Sequence, residues 1–200
     1  MGAKRRIGVL ALQGAVSEHL DMVKRGGCAG LAVKNRADLG AVDALILPGG
    51  ESTTLGRLIR EQELEDDIRA FVKTRPLLGT CAGLILCARE LVGDARPRPL
   101  GLMDISVERN GFGRQRESFE ADLEVEGAGS IRAVFIRAPF IQSVGVGARV
   151  LASLDDKIVM AEQGNVLVTA FHPELADDMR IFNYFVAKSS GALAESHFLL

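Results

Sequence analysis

Apolar and polar positions along this chain follow two different rhythms. In the first half, short unbroken apolar runs are separated by stretches with a helical repeat. Ile7-Gly8-Val9-Leu10-Ala11-Leu12, Leu31-Ala32-Val33-Lys34, Ala44-Leu45-Ile46-Leu47 and Leu77-Leu78-Gly79-Thr80-Cys81 are such runs. They are short for helices and too uniformly apolar for strands with one wet face, so they read as strands buried on both sides. Between them, positions 16–24 carry Val16, Leu20 and Val23 at helical spacing. Positions 53–72 are helical in character with a break near Gln62, and positions 83–91 predict a helix directly after the fourth strand. Such strands, joined by helical crossovers, form a parallel sheet covered on both faces.

Beyond residue 100 the helices thin out. Positions 104–109, 121–126, 133–136, 150–154, 158–161 and 166–170 predict strands, read as antiparallel additions to the sheet, and 182–188 supplies a closing helix. The expected architecture is α/β: one three-layer α/β/α sandwich over residues 1–200, with a mostly parallel sheet. A chain of 200 residues suits one such domain. The site belongs at the carboxyl ends of the strands.

Composition narrows the function. Hydrophobic residues make up 48% and charged residues 25%, with a formal net charge of −2. There is no basic excess, which argues against a dedicated nucleic-acid binder. Lys4, Arg5 and Arg6 ahead of an apolar run imitate a signal peptide, but the run is short and no small-residue cleavage site follows. The apolar stretch 76–88 is interrupted by Gly79, Thr80 and Gly83 and is too short to span a bilayer. The chain is expected to be cytoplasmic, with no membrane partner. Its three cysteines lack CxxC spacing, so neither a disulfide framework nor a metal site is indicated. One of the thiols could instead be reactive.

Gly79-Thr80-Cys81-Ala82-Gly83 has the form of a nucleophile elbow with cysteine in the serine position. A nucleophile between strand and helix must adopt a strained backbone, flanking glycines clear space around it, and the helix start favours a thiolate. A buried cysteine in a glycine-containing turn fits the same five residues. His172-Pro173-Glu174 offers a base and a group to orient it. Pro173 biases His172 toward extended geometry, in which residues i and i+2 point the same way. A strand-end turn with solvated polar residues is the plainer reading. Pro48-Gly49-Gly50-Glu51-Ser52-Thr53 follows the third strand, where two glycines allow a backbone N–H to face an oxyanion and Ser52 or Thr53 can cap the next helix. Cys28 in its glycine-rich turn and Cys87 in an apolar helix have no histidine partner implied by any motif.

Cysteine, histidine and glutamate with a Gly-Gly loop resemble the class I glutamine amidotransferases, and most specifically the glutaminase subunits of pyridoxal 5′-phosphate synthase. The resemblance runs through Leu10-Ala11-Leu12-Gln13-Gly14-Ala15-Val16 with Glu18-His19, then residues 48–54 and 79–83. It continues in Val107-Glu108-Arg109-Asn110-Gly111-Phe112-Gly113-Arg114-Gln115, in Ser118-Phe119-Glu120, in Phe135-Ile136-Arg137-Ala138-Pro139 and in residues 171–175. It implies a flavodoxin-like sandwich that hydrolyses L-glutamine and delivers ammonia to a partner synthase subunit in a hetero-oligomer, with no cofactor of its own. Carried over residue by residue, Cys81 is the nucleophile, His172 the general base and then acid, and Glu174 its orienter. Gly50, Glu51, Ser52, Arg109, Ile136 and Arg137 hold glutamine, and Gly49, Gly50 and Ala82 form the oxyanion site. Gln13, Glu18 and His19 are read either as part of a docking face or as a solvated helix start. Gly111 departs from the family, which commonly has a small residue with a β-carbon there. A stand-alone γ-glutamyl or cysteine hydrolase of the same fold, or a non-catalytic regulatory subunit, are the competing readings.

Overall fold

The computed structural model describes residues 4–93, 96–112 and 117–188. Gly113, Arg114 and Gln115 of the resemblance, and both ends of the 1–200 assignment, lie outside these residues. The first half folds as its apolar rhythm demands. β1 (Arg6–Leu10), β2 (Ala29–Val33), β3 (Ala44–Leu47) and β4 (Leu77–Thr80) run parallel in the order β2-β1-β3-β4. Every residue of β3 and β4 is buried. α1 (Val16–Arg25) joins β1 to β2. A short α2 (Arg36–Gly40), unforeseen in the sequence, precedes β3, and the Asn35 side chain caps it by accepting from the Asp38 N–H at 3.0 Å.

The helical stretch 53–72 breaks where expected. α3 (Ser52–Glu61) ends at Gln62, Glu63 takes a positive φ of 55°, and α4 (Glu65–Phe71) follows. The chain reverses its direction across the sheet at β1. Right-handed crossovers therefore put α1 on one face and α3 with α4 on the other. α1 buries His19, Met22 and Val23, whereas Val16 and Leu20 of the expected stripe are only half-buried.

Two expectations need correction. The helix after β4 does not run to residue 91: α5 (Ala82–Cys87) stops after six residues, and the chain enters β5 (Glu90–Val92). The carbonyls of Leu86, Cys87 and Ala88 accept from N–H groups of the incoming segment 100–103, which ends the helix by supplying its terminal acceptors with tertiary partners. β5 pairs in parallel with β6 (Ile105–Glu108).

The second correction concerns β7 (Ser118–Val125) and β8 (Gly129–Ile136), which form a separate two-stranded hairpin and not an addition to the main sheet. One face of the hairpin is wet. The other presses Leu123, Val125, Ile131, Ala133 and Phe135 into the core. Phe135 stacks on Phe119 at 4.8 Å and meets Phe171 edge-on at 5.8 Å between centroids.

The antiparallel additions themselves are β9 (Phe140–Val144), missed in the sequence, with β10 (Arg149–Leu154) and β11 (Lys157–Gln163). β12 (Val166–Thr169), read from the sequence among the antiparallel additions, pairs antiparallel with β11 but returns beside β4 and parallel to it, so it belongs to the parallel core. α6 (Arg180–Lys188) closes the fold on the α1 face, where Phe182 occupies the space a Cβ at Gly26 would need. The segments after β1, β3, β4 and β12 thus converge at one end of the sheet, where the motifs lie.

Candidate active site

Cys81 is the N-cap of α5 and holds φ 49° and ψ −98°, a positive-φ conformation that L-residues rarely take. Its N–H donates to the Thr169 carbonyl of β12 at 2.8 Å, so the sheet itself holds the strained residue. The two glycines have a packing reason. A Cβ at Gly79 would stand 2.8 Å from backbone atoms of Gly83 and 3.0 Å from Cys87 Sγ, and one at Gly83 would stand 2.2 Å from the Leu47 carbonyl oxygen. They let α5 lie directly on β3 and β4, which fixes where the thiol emerges.

His172 and Glu174 are both buried, and Glu174 Oε1 accepts from His172 Nδ1–H at 2.7 Å. The pair closes through a different local geometry from the extended one expected. His172 is near-extended (φ −107°, ψ 87°), but residues Pro173–Leu175 form a 3-10 turn that swings the carboxylate back onto the ring. Solvation is not the explanation for these residues, since both side chains are at most 9% exposed. Burial works against charge on His172, but the nearby Cys81 sulfur and the hydrogen-bonded Glu174 carboxylate, which both favour the imidazolium, outweigh it and push its pKa up to about 10. His172 Nε2 has no hydrogen-bond partner of ordinary geometry, and the Cys81 thiol faces the Ile136 carbonyl at 3.9 Å. Such loose contacts are usual before substrate is present. Among the described residues, no cluster of His, Cys, Asp and Glu is arranged to hold a metal ion.

The Gly49-Gly50 loop completes the pocket wall. A Cβ at Gly49 would come 2.6 Å from the His172 ring, so only glycine permits this approach. The Gly49 carbonyl accepts from the Ala15 N–H at 3.0 Å, and Gly50 takes φ 153°. In a trans peptide the Gly50 N–H then points away from Ala15. The cap of α3 is Glu51 and not Ser52 or Thr53: its carboxylate accepts from the N–H groups of Thr53 and Thr54 at 2.9 and 2.7 Å. Burial alone would raise the Glu51 pKa, yet these bonds hold it at about 2. Arg109 lies 3.6 Å from the same carboxylate.

A cleft of about 540 Å³ takes in Cys81, His172, Glu174, Gly49, Gly50, Glu51, Ser52, Arg109, Ile136 and Arg137. All expected residues except Ala82, which follows Cys81 under the elbow, line it. The hairpin delivers Ile136 and Arg137, and the His172 N–H donates to the Val134 carbonyl at 2.8 Å. Asn110 and Arg137, both at positive φ, face the same cleft. Asn110 was missed as a site residue although it stands inside the quoted block beside Arg109. The Gly111 departure has a partner: Phe140 fills the place of a Cβ there, with a ring atom 1.9 Å from it.

Of the suggested docking residues, only Glu18 is exposed. The Gln13 side-chain oxygen accepts from the Glu51 N–H at 3.1 Å, and His19 is completely buried behind the site. Burial, the largest influence on His19, pulls its pKa below the ordinary value against the opposite pull of Glu174. Cys87 is fully buried and desolvation pushes its thiol far up, while burial also raises half-exposed Cys28. Neither has the surroundings of a nucleophile.

Residues 9–190 match the model of the SNO glutamine amidotransferase family. A pyridoxal 5′-phosphate synthase subunit PdxT from Carboxydothermus hydrogenoformans is 50% identical over 92% of this chain and 97% of its own length. The subunit of the same name from Pelotomaculum thermopropionicum is 53% identical over 92% and 94%. A crystal structure of a glutamine amidotransferase superimposes with a TM-score of 0.89 at 49% identity, covering 92% of this chain and 98% of that one. The fold alone extends further, to PurLQS from Thermotoga maritima at 16% identity and a TM-score of 0.67. The chain belongs to the SNO glutamine amidotransferase family.

Proposed function

We propose that this chain is the glutaminase subunit of a pyridoxal 5′-phosphate synthase, a single amidotransferase domain acting in the cytoplasm on L-glutamine. The observation that carries the reading is the meeting of a strained Cys81 with the buried His172–Glu174 pair in one cleft, beside a diglycine loop that only glycine can form. No helix among the described residues is long and apolar enough to cross a membrane.

The chemistry follows the geometry. The Cys81 thiolate attacks the side-chain amide carbon of glutamine, forming an S–C bond and a tetrahedral oxyanion. Gly49 and Gly50 with the Ala82 N–H, a first-turn donor with no intrahelical acceptor, face that oxyanion. His172, charged as its raised pKa allows, gives its proton to the amide nitrogen as the C–N bond breaks, releasing ammonia and leaving a γ-glutamyl thioester. Neutral His172 then takes a proton from water, whose oxygen attacks the thioester carbon. The S–C bond breaks and glutamate leaves. Glu174 keeps the ring oriented and offsets its charge. Glu51, Ser52, Arg109, Ile136 and Arg137 hold the α-amino acid end of the substrate, where a guanidinium suits the carboxylate.

The partner is a synthase subunit of the same pathway, held in a hetero-oligomer. Leu175, a large apolar side chain 45% exposed beside Glu18 at the rim of the cleft, fits a surface that a second chain covers. Free ammonia is mostly protonated near neutral pH, so hydrolysis without an acceptor wastes glutamine. Coupling would work through the diglycine loop, whose present orientation is held by the bond from Ala15 to Gly49. Glutamate release with and without the cognate synthase subunit tests both parts. Synthase is expected to raise kcat by at least about tenfold. Equal kcat would reject gating, and no glutamate release in either case would reject the glutaminase reading.

A further inference from the structure

We infer that Phe140 is a positioning residue. Its ring, seated in the space that Gly111 leaves open, holds the Arg109–Asn110 turn beside the segment carrying Arg137 and so sets where the α-amino acid end of glutamine binds. The inference rests on the glutaminase reading above and adds a residue that this reading leaves idle. Gly111 is where the chain departs from its family. Its φ is not positive, so the backbone conformation there does not itself call for glycine. Space does: a Cβ would fall onto Cδ1 and Cε1 of the Phe140 ring. The absent methyl and the ring are two halves of one packed contact.

This contact lies where the two arginine-bearing segments meet. β6 and β9 pair as far as Glu108 and Phe140. Arg109 and Asn110 then turn into the cleft, and Gly111 comes back to donate its N–H to the Ala138 carbonyl at 3.2 Å. Asn110 at φ 54° and Arg137 at φ 42° both hold a backbone that persists only where the surroundings impose it. Three features impose it on the Asn110 turn. One is the bond from Gly111 to Ala138. Another is Phe112, whose ring packs 5.4 Å from Phe119 and 5.6 Å from Phe135 between centroids. The third is the Phe140 ring against Gly111. Lys157, at the start of β11, steadies that ring, with its ammonium 4.2 Å from the Phe140 centroid and 5.9 Å from that of Phe112. Phe140 acts from behind the turn, since the cleft itself is lined by Arg109, Asn110 and Arg137.

A pair of variants separates positioning from filling. Gly111→Ala drives a methyl into the ring, Phe140→Val withdraws the ring, and the double variant puts the methyl where the ring edge was. In the complex with synthase, each single change is expected to raise KM for glutamine at least about fivefold with kcat within about threefold, because contacts to the α end are alike in ground and transition states. The double variant should return to within about twofold of the parent KM, since each change repairs the other. Two reagents read the same point at the thiol. A chloroketone analogue of glutamine carries the α-amino acid end and should label Cys81 more slowly in each single variant. Iodoacetamide lacks that end and should alkylate Cys81 at the parent rate. KM losses that multiply in the double variant, no change in KM, a loss in kcat alone, equal slowing by both reagents, or losses that merely track the melting temperature would overturn the inference. Should Gly111→Ala not fold, Phe140→Val and the two reagents decide: slowing of the chloroketone alone supports it, and equal slowing or none rejects it. Failure of the glutaminase reading would look different, because the chloroketone would leave Cys81 of the parent protein unlabelled.

Discussion

Cys81 and Cys87 lie one short helix apart, both buried, and yet they occupy opposite chemical worlds. Cys87 ends α5 with its sulfur against Gly79, fully desolvated, and burial drives its thiol toward the neutral form. Cys81 opens the same helix at positive φ, is 8% exposed into a cleft, and faces a histidine whose pKa it helps to raise. Burial is therefore not what separates a structural thiol from a candidate nucleophile. Position at the strand-to-helix corner and an imidazole within reach separate them. The two are also mechanically joined, because Cys87 packs under the glycine that leads into the elbow.

The sharpest way to break this contrast is to remove the candidate nucleophile. Cys81→Ala in complex with synthase should lower glutamate release at least about 10⁴-fold, with the melting temperature nearly unchanged. A chloroketone glutamine analogue should label Cys81 and spare Cys87 and Cys28. Labelling of Cys87 in the folded protein would dissolve the comparison.

Next comes the imidazole that Cys87 lacks. His172→Asn should cost about 10³-fold in kcat and Glu174→Gln clearly less, about 10- to 100-fold. A larger loss in Glu174→Gln would mean that Glu174 does more than orient the ring. The same pair predicts a pH effect on stability. The folded pKa of His172, about 10, lies above its ordinary 6.5, so the folded state binds this proton more tightly than the unfolded chain. Its stabilisation is complete below about pH 6.5 and is lost as pH rises through about 10. Denaturant midpoints between these limits should fall with pH more steeply in the parent protein than in His172→Asn. Parallel curves would show that the imidazolium contributes nothing to the fold.

Gly79→Ala attacks the joint between the two cysteines. Its Cβ would press on the Gly83 backbone and on Cys87 Sγ, and backbone contacts do not yield cheaply. We expect a destabilisation of about 2 kcal/mol, seen in the denaturant midpoint, together with slower alkylation of Cys81. The smallest effects belong to Cys87 itself. Cys87→Ser buries a hydroxyl in a thiol's place and should cost about 1–2 kcal/mol, against about 1 kcal/mol for Cys87→Ala. Both should retain glutamine turnover within about twofold of the parent. A catalytic defect in folded Cys87→Ala would give that thiol a role the geometry denies it.

The sequence by itself determined the local pieces whose physics is short-ranged. The uninterrupted apolar runs of β1, β3 and β4 require burial on both faces, and the glycines at 79, 83, 49 and 50 mark places where a side chain cannot fit. The family could be read because its blocks keep residue identity. Tertiary structure decided what depends on distant partners. α5 stops at Cys87 because residues 100–103 supply donors for its last carbonyls, and nothing within 83–91 carries that information. β7 and β8 leave the main sheet because their one apolar face finds Phe171 and its neighbours, a pairing that alternation alone cannot specify. His19 looked like a polar helix start in the linear order. Only the folded chain brings it behind Glu174, since a contact between residues 155 positions apart in sequence is set by how β1 and β12 lie in the sheet and not by either local pattern.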